Sequence, residues 1–337
     1  MRGFHRTIVS LIAAFLAAAA FAAPIRITTW NLEWFPNGSP KERPVAEQDK
    51  RIAAAADVLR PLNSDIILLQ EVKDYDVCAR LGETIAPHTY NVAICSAFRE
   101  PFAPGLGKQQ VAILAKVPAQ AAWSETWKAM SGVDPPRGFA FAWFKIRGTD
   151  VGVYAVHLKS NLIMKSDKAA ETQKNIRKRE VAVEQLLNHM RDVIAPSMPM
   201  VKSLDQIEFA QEKTLATLTS AGFRNVWEGA PLLQRVTHPG SGPYPDATFD
   251  YLFASNLVPS KAQITPSKAS DHLPVTCDFS SGGVVVTQST PATTNQVAPP
   301  PATQQFVTLT QPVRIKIPYG ETVLPRGLRL PVVSHDA

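Results

Sequence analysis

Six polar side chains stand at or near the ends of apolar, strand-like stretches, and their types suit one kind of chemistry. They are Asn31 in Thr29-Trp30-Asn31-Leu32-Glu33-Trp34, Glu71 in Leu68-Leu69-Gln70-Glu71-Val72, His157 in Ala155-Val156-His157-Leu158-Lys159-Ser160-Asn161, Asp250 in Thr248-Phe249-Asp250-Tyr251-Leu252, and Asp271 and His272 in Ser270-Asp271-His272-Leu273-Pro274. A carboxylate at a strand end holds one hard cation; Mg²⁺ typically takes one or two carboxylates, keeps several waters and leaves room for phosphate oxygens. Glu71 fits that role, with Asn31 or Asp271 beside it. A histidine acts as general base near neutral pH, and a neighbouring acid holds its ring in one tautomer. His272 is the candidate base, Asp250 the orienting acid, and His157 the donor to a phosphate oxygen or leaving group. Water would attack phosphorus, with the cation and the imidazoles stabilising the developing charge.

Other chemistries are excluded by spacing. The chain has no Cys/His zinc pattern, and Gly105-Leu106-Gly107-Lys108 is too short for a phosphate-cradling loop. Ser160 near His157 lacks the strand–turn–helix elbow of an acyl-transfer nucleophile. His88, His189 and His238 have no comparable context and are read as structural. Taken singly, each motif is weak, since an isolated Asp-His pair is usually a surface or capping pair; the weight lies in the order and context of the set.

The elements that must position these residues alternate along the chain. Residues 25–30 and 65–69 read as strands, the second buried on both faces. Residues 46–62 read as a helix, with a shorter one at 79–85 and strands at 90–94 and 111–114. Residues 139–146 and 151–156 flank Arg147-Gly148-Thr149-Asp150 and read as an antiparallel hairpin. A long amphipathic helix spans 168–192; its basic face (Lys174, Arg177, Lys178, Arg179) reads as solvated surface. A strand starts at Pro199, and a helix spans 208–221, stopped by Gly222. Strands at 248–254 and 275–279 close the core. This alternation, with at least one hairpin, implies an α/β sandwich with mixed sheets.

The ends differ from the middle. Residues 1–22 have a basic start, an apolar run from Ile8 to Ala20 and the small-residue pattern Ala20-Phe21-Ala22, the layout of a cleaved secretory signal. That run is short for a membrane span, so export to the periplasm or medium is expected, without a stable span. Residues 280–305 are rich in Ser, Thr, Pro and Gln and read as a linker. Residues 306–337 alternate apolar and polar side chains like strands but are too few to form a core unaided; they read as a partial small-barrel segment suited to cell-envelope attachment. The formal charge is +6, and subtracting the two ends leaves +2 for the middle, too little for a large basic nucleic-acid footprint. In an exported chain, three cysteines allow one bridge, and Cys78–Cys95 is the preferred pair.

The five motifs TWNLEWF, LLQEV, VYAVHLKSN, TFDYLFAS and SDHLPV, in that order, resemble the endonuclease/exonuclease/phosphatase superfamily, which has the deoxyribonuclease-I-like fold. The resemblance covers roughly residues 25–279, with the domain placed at 23–279. It implies a four-layered α/β sandwich of two mixed β-sheets flanked by helices. It also implies Mg²⁺-dependent cleavage of phosphoester bonds, with Mn²⁺ or Ca²⁺ as substitute cations. On it, Asn31, Glu71 and Asp271 are metal-side residues and His157, Asp250 and His272 catalytic ones. The family's Gly-Asp-Phe-Asn turn, which grips phosphate and attacking water, is absent. The chain runs Pro199-Met200-Val201-Lys202-Ser203-Leu204-Asp205-Gln206 there, so either the turn is deleted or Asp205 stands in for its acid. Gln109 or Gln110 lies near the place of the carboxylate that orients the first histidine in some relatives.

The expected function is therefore an exported, metal-dependent phosphodiesterase or nuclease-type hydrolase, with activity lowered by the missing turn and a monomeric chain. Its substrate class spans DNA, RNA and phospholipid headgroups; Arg235 and the loop His238-Pro239-Gly240 are placed to shape the pocket without selecting among them. The alternative is a binding module that keeps the fold after catalysis was lost.

Overall fold

Strands form where β-branched and aromatic residues run together, and between residues 23 and 281 they are β1 (Ile25–Phe35), β2 (Ile66–Val72), β3 (Asn91–Cys95), β4 (Gln110–Ala115), β5 (Ala121–Thr126), β6 (Gly138–Ile146), β7 (Thr149–His157), β8 (Met200–Asp205), β9 (Arg224–Asn225), β10 (Tyr251–Ser255), β11 (Val258–Pro259), β12 (Gln263–Ile264) and β13 (Val275–Ser280). The helices are α1 (Val45–Leu59), α2 (Tyr75–Ile85), α3 (Lys168–Val193) and α4 (Lys213–Ser220). The structure, a computed structural model, describes residues 23–100, 104–160, 167–194, 200–205, 213–241, 244–281, 306–311, 313–317, 320–324 and 329–331. For residues 200–205 and most of those after 305 it describes the backbone alone. The signal-like residues 1–22 and most of the linker, 282–305, lie outside the described residues.

Two sheets stack face to face. One is seven-stranded, in the order β11-β13-β1-β2-β4-β3, with β12 also on β13; the other is six-stranded, in the order β5-β6-β7-β8-β10-β9. In the described residues, β1–β2 and β7–β8 pair parallel and every other pair is antiparallel. Both sheets are therefore mixed. Ile27, Leu68, Ile113, Phe141, Tyr154 and Phe279 belong to the apolar layer between the sheets, and Val183, Leu186 and Leu218 carry that core on to α3 and α4. A second cluster, with Ile52, Ala56, Leu59, Val77, Leu81, Ile67 and Leu69, seals α1 and α2 against the first sheet. The result is the expected four-layered α/β sandwich.

Several boundaries differ from the sequence expectation, each for a local reason. β1 runs five residues past Trp30 because a bulge between Asn31 and Phe35 lets it re-pair with β2. Helix α2 begins at Tyr75, where the Asp74 carboxylate caps the amide of Val77 at 2.9 Å. β5 was not anticipated; its antiparallel ladder with β6 supplies the pairing that its modest apolar content does not signal. The β6–β7 hairpin turns at Arg147-Gly148 rather than over four residues, with φ of 49° and 82°. α4 starts at Lys213; the first part of the expected 208–221 helix, through residue 212, lies outside the described residues. Its stop at Gly222 holds: φ is 84°, and the amide of Phe223 bonds the Leu218 carbonyl at 3.1 Å.

All three cysteines are free thiols, so the expected Cys78–Cys95 bridge is not formed. Cys78 is buried between α2 and the sheet, and a hydrogen bond to the Cys95 thiol, with burial, pushes its own thiol up. The C-terminal segment forms two short antiparallel ladders, Phe306–Thr308 with Arg329–Pro331 and Val313–Ile317 with Gly320–Leu324. Among the described residues, no helix is long and apolar enough to cross a membrane.

Candidate active site

The two parallel pairs aim their carboxyl-terminal ends at one place. β1 and β2 deliver Asn31 and Glu71, while β7 and β8 deliver His157 and Asp205 in direct register. The antiparallel strands β10 and β13 start at that same edge, with Tyr251 opposite Leu204 and Val275 opposite Thr29. Asp250 and the Ser270–His272 loop, which precede them, are thereby carried to the edge too. Sites in layered α/β folds form at such strand ends.

Glu71 is the hinge of the first half. Its φ is 58°, a left-handed conformation that an ordinary side chain adopts only under constraint, and it sits where the β2–β4 register shifts. This turns its carboxylate out of the strand pattern. Oε1 accepts from Asn31 Nδ2 at 3.1 Å, and Oε2 accepts from the Trp34 amide at 3.0 Å. Asn31 Oδ1 in turn accepts from the Glu33 amide at 2.9 Å. His157 Nε2 lies 3.6 Å from Glu71 Oε1, so the two sheets meet across this pair. Burial, with the charges of Arg137 and His272, holds the His157 imidazole well below its usual range, so it is neutral at pH 7.

The second half is a buried dyad. His272 Nδ1 and Asp250 Oδ2 are 2.8 Å apart, with both side chains almost fully buried. Thr237 fixes the dyad from beneath. Its Oγ1 accepts from the amides of Phe249 (2.9 Å) and Asp250 (3.1 Å), and its carbonyl accepts from the Leu273 amide at 2.7 Å. Trp30, fully buried, donates its indole N–H to the His272 carbonyl at 2.9 Å. Ser270 Oγ donates to the Asn31 carbonyl at 2.8 Å, which ties the Asp271 loop to β1.

Two residues were missed. Glu33 lies inside TWNLEWF, and burial with the charges of Asp271 and Glu71 pushes its carboxyl up. It thus faces the same acidic space; its left-handed φ of 50° was the feature the sequence hid. His238, read as structural, packs its ring on His272 at 5.0 Å between centroids and brings Nε2 to 3.7 Å from Asp271 Oδ2. One other expectation needs correction. Gln110 turns away to Ser96 and Phe98, and Gln109 reaches the site only through Arg137, which bonds the carbonyls of His157 and Leu158. Both glutamines thus hydrogen-bond groups other than the His157 ring. The Gly240 amide donates to Asp246 at 2.7 Å, and Arg235 donates to Thr248 at 2.9 Å and so braces the Asp250 segment.

The residues present fit a hard cation. Glu71 holds the Asn31 amide, and burial, with the charges of Asp271 and Glu71, raises the Glu33 carboxyl, which also pairs with Arg51 at 3.6 Å; carboxylates and an amide oxygen are the donor types a hard cation takes. The side chain of Asp205 lies outside the described residues.

A model of the endonuclease/exonuclease/phosphatase family matches residues 28–272, and the chain belongs to that family. No curated protein matches it significantly by sequence. Solved structures share the deoxyribonuclease-I-like fold at low identity. An endonuclease/exonuclease/phosphatase from Bacteroides vulgatus is 14% identical, covering 76% of this chain and 98% of its own, with a TM-score of 0.58. The catalytic domain of human Nocturnin with bound sulfate anion is 20% identical, covering 77% and 94%, with a TM-score of 0.55. TDP2 of D. rerio complexed with single-strand DNA product is 15% identical, covering 76% and 98%, with a TM-score of 0.54. The family supports a phosphoester hydrolase in general.

Proposed function

We propose that this chain is an exported, Mg²⁺-dependent phosphodiesterase of the nuclease type, acting as a monomer. The observation that carries the reading is the convergence of side chains from both sheets: Glu71 against His157, and Asp250 against His272 in a buried dyad. Glu71, Asn31 and Asp271 would hold the cation, with Glu33 at its margin; bound there, it would neutralise charge on phosphate oxygens. His272 Nε2 takes the proton of the attacking water while Asp250 holds Nδ1 and steadies the imidazolium. Neutral His157 donates a hydrogen bond to a non-bridging oxygen. Asp205, whose backbone is level with His157, takes the phosphate-positioning place of the missing turn.

The sulfate in Nocturnin and the DNA product in TDP2 support an anionic phosphate ester as the substrate class, nucleic acid included. The test is hydrolysis of plasmid DNA and of a generic phosphodiester, with and without Mg²⁺, against His272→Ala. Equal inactivity of the parent and the variant overturns the enzymatic reading. A binding role is favoured by the absent turn and the envelope-type C-terminal ladders; pull-down on cell-wall material, with and without residues 306–337, decides it. Cell fractionation and an amino terminus at Ala23 test export.

A further inference from the structure

Among the described residues, seven large apolar side chains are exposed: Val45, Tyr75, Leu106, Leu232, Leu233, Tyr244 and Val258. Chain topology puts all but Val258 at the catalytic end of the sandwich. Val45 and Tyr75 open the helices that follow the carboxyl ends of β1 and β2. Leu106 lies in the β3–β4 loop, shortly before Gln110, which pairs with Val72 at the end of β2. Leu232, Leu233 and Tyr244 lie between β9 and β10, in the stretch that also carries His238 and Asp250. Val258 follows β10 and pairs with Ser280, at the opposite end of β13 from Val275. Apolar residues exposed singly are ordinary and need no explanation. Their sorting to one end, on loops from both sheets that bracket the site, does need one.

We propose that these loops form two rims that dock the catalytic end on a phospholipid surface. The loops of the first rim are tied together. Lys73 and Lys108 both pair with Glu42, and Lys108 Nζ donates to the Pro40 carbonyl at 2.9 Å. The second rim carries Leu232 and Leu233 on a short 3-10 turn, Leu232–Gln234, braced where Arg235 Nε donates to the Ala230 carbonyl at 3.2 Å. Leu233 is 87% exposed, so it packs on almost nothing in its own chain. Interfacial binding sets apolar tips at the boundary of headgroups and acyl chains while cations meet lipid phosphates. The first rim offers both. Residues 36–44, 73–74 and 96–109 hold five basic and three acidic residues, and one of those acids, Asp74, caps α2. A protein partner would want a contiguous apolar patch with few charges at its centre. Here the centre, between the rims, is the polar site itself, which favours a lipid surface.

Docking would open the site onto headgroups and so favour membrane-borne phosphoesters over free ones. That consequence rests on the functional reading above; the docking itself does not. The test is co-sedimentation with vesicles of phosphatidylethanolamine, with and without phosphatidylglycerol, in EDTA so that hydrolysis plays no part. The full chain and the chain from Ala23 onward are both used, because the apolar run at 8–20 is itself membrane-seeking. Both should bind, and more tightly when phosphatidylglycerol is present. Full burial of one leucine side chain is worth roughly 10- to 100-fold in partition. Leu232→Ser with Leu233→Ser should therefore weaken binding by at least about tenfold. Val45→Ser with Leu106→Ser should do the same from the other rim, and Val258→Ser should leave binding unchanged. The two pairs lie on separate loops, so one still decides if the other fails to fold by circular dichroism. Failure of the chain from Ala23 to bind, parent-like binding by a folded rim variant, or equal loss in Val258→Ser overturns the proposal. A parent that ignores vesicles but forms a dimer that Leu233→Ser abolishes also overturns it, and assigns the rims to a protein interface. A parent that binds vesicles yet hydrolyses nothing in Mg²⁺ refutes the hydrolase reading alone. An active parent that ignores vesicles refutes this one alone.

Discussion

Replacing Asp250 by Asn removes one charge from the centre of the site and almost no volume. In the parent, Asp250 Oδ2 lies 2.8 Å from His272 Nδ1, and both groups are shielded from water. A hydrogen bond to a charged group contributes about 1.5–3 kcal/mol. At about 1.4 kcal/mol per tenfold in rate, its loss alone slows turnover by roughly 10- to 150-fold. The amide also offers Nδ1 either a donor or a weaker acceptor, so the ring spends part of its time in the wrong tautomer; in a well-studied triad that change costs about 10⁴. The expected loss in kcat therefore lies between about 10² and 10⁴, with KM little changed because substrate grip comes from other residues. Steady-state hydrolysis of a generic phosphodiester in Mg²⁺ measures it, with far-UV circular dichroism confirming the fold. A variant within about fivefold of the parent kcat would refute the assignment of His272 as base and Asp250 as its orienter.

Three further outcomes follow from the geometry. Lys159 is pushed down to about 8 by burial and by Arg137 and Lys178. Its charge therefore opposes folding below pH 8, and the cost fades as pH rises towards 10.5. With half the side chain in solvent, Lys159→Met should stabilise the protein by about 1 kcal/mol at pH 7, the gain vanishing by pH 10 in thermal melts. His157 titrates well below its usual range, so the unfolded chain takes up a proton that the native state refuses. Stability should fall as pH drops below about 6.5, by up to about 1.4 kcal/mol per pH unit, and His157→Gln should flatten that slope in denaturant titrations. A Cβ at Gly138 would sit 1.8 Å from the Glu125 carbonyl oxygen across the β5–β6 ladder. Gly138→Ala should cost about 3 kcal/mol or more, read as a lowered Tm; an unchanged Tm would mean the ladder is misplaced.

Much of the site was legible because its residues follow patterns that burial imposes. Glu71 is the sixth of seven consecutive buried positions, and a carboxylate there has no solvent-facing excuse. Asp250 and His272 stand immediately before strands whose apolar residues announce themselves. His238 and Glu33 were hidden for the opposite reason. His238 sits in a loop without period, brought to the dyad by the Thr237–Leu273 hydrogen bond over a long stretch of chain. Glu33 shares a bulge whose geometry depends on β2, not on its own neighbours. Helix α2 began earlier than its apolar spacing suggested, since one side-chain cap at Asp74 set its start. The layer order was readable from the alternation of strands and helices, but the parallel pairing at the middle of each sheet was not, because register is a property of two strands at once.

That central pairing has a further consequence. Glu71 and the His272 loop are rooted in or beside the first sheet, whereas His157 and Asp250 are rooted in or beside the second, and the layers are joined by a non-directional apolar core with a few polar ties such as Arg147 to Asp65. Sliding one layer over the other by a fraction of a side chain would leave every hydrogen bond within each sheet intact and still part the two halves of the catalyst. Volume changes at Phe141 or Tyr154, remote from any reacting atom, are thus a route to a well-folded, catalytically silent molecule.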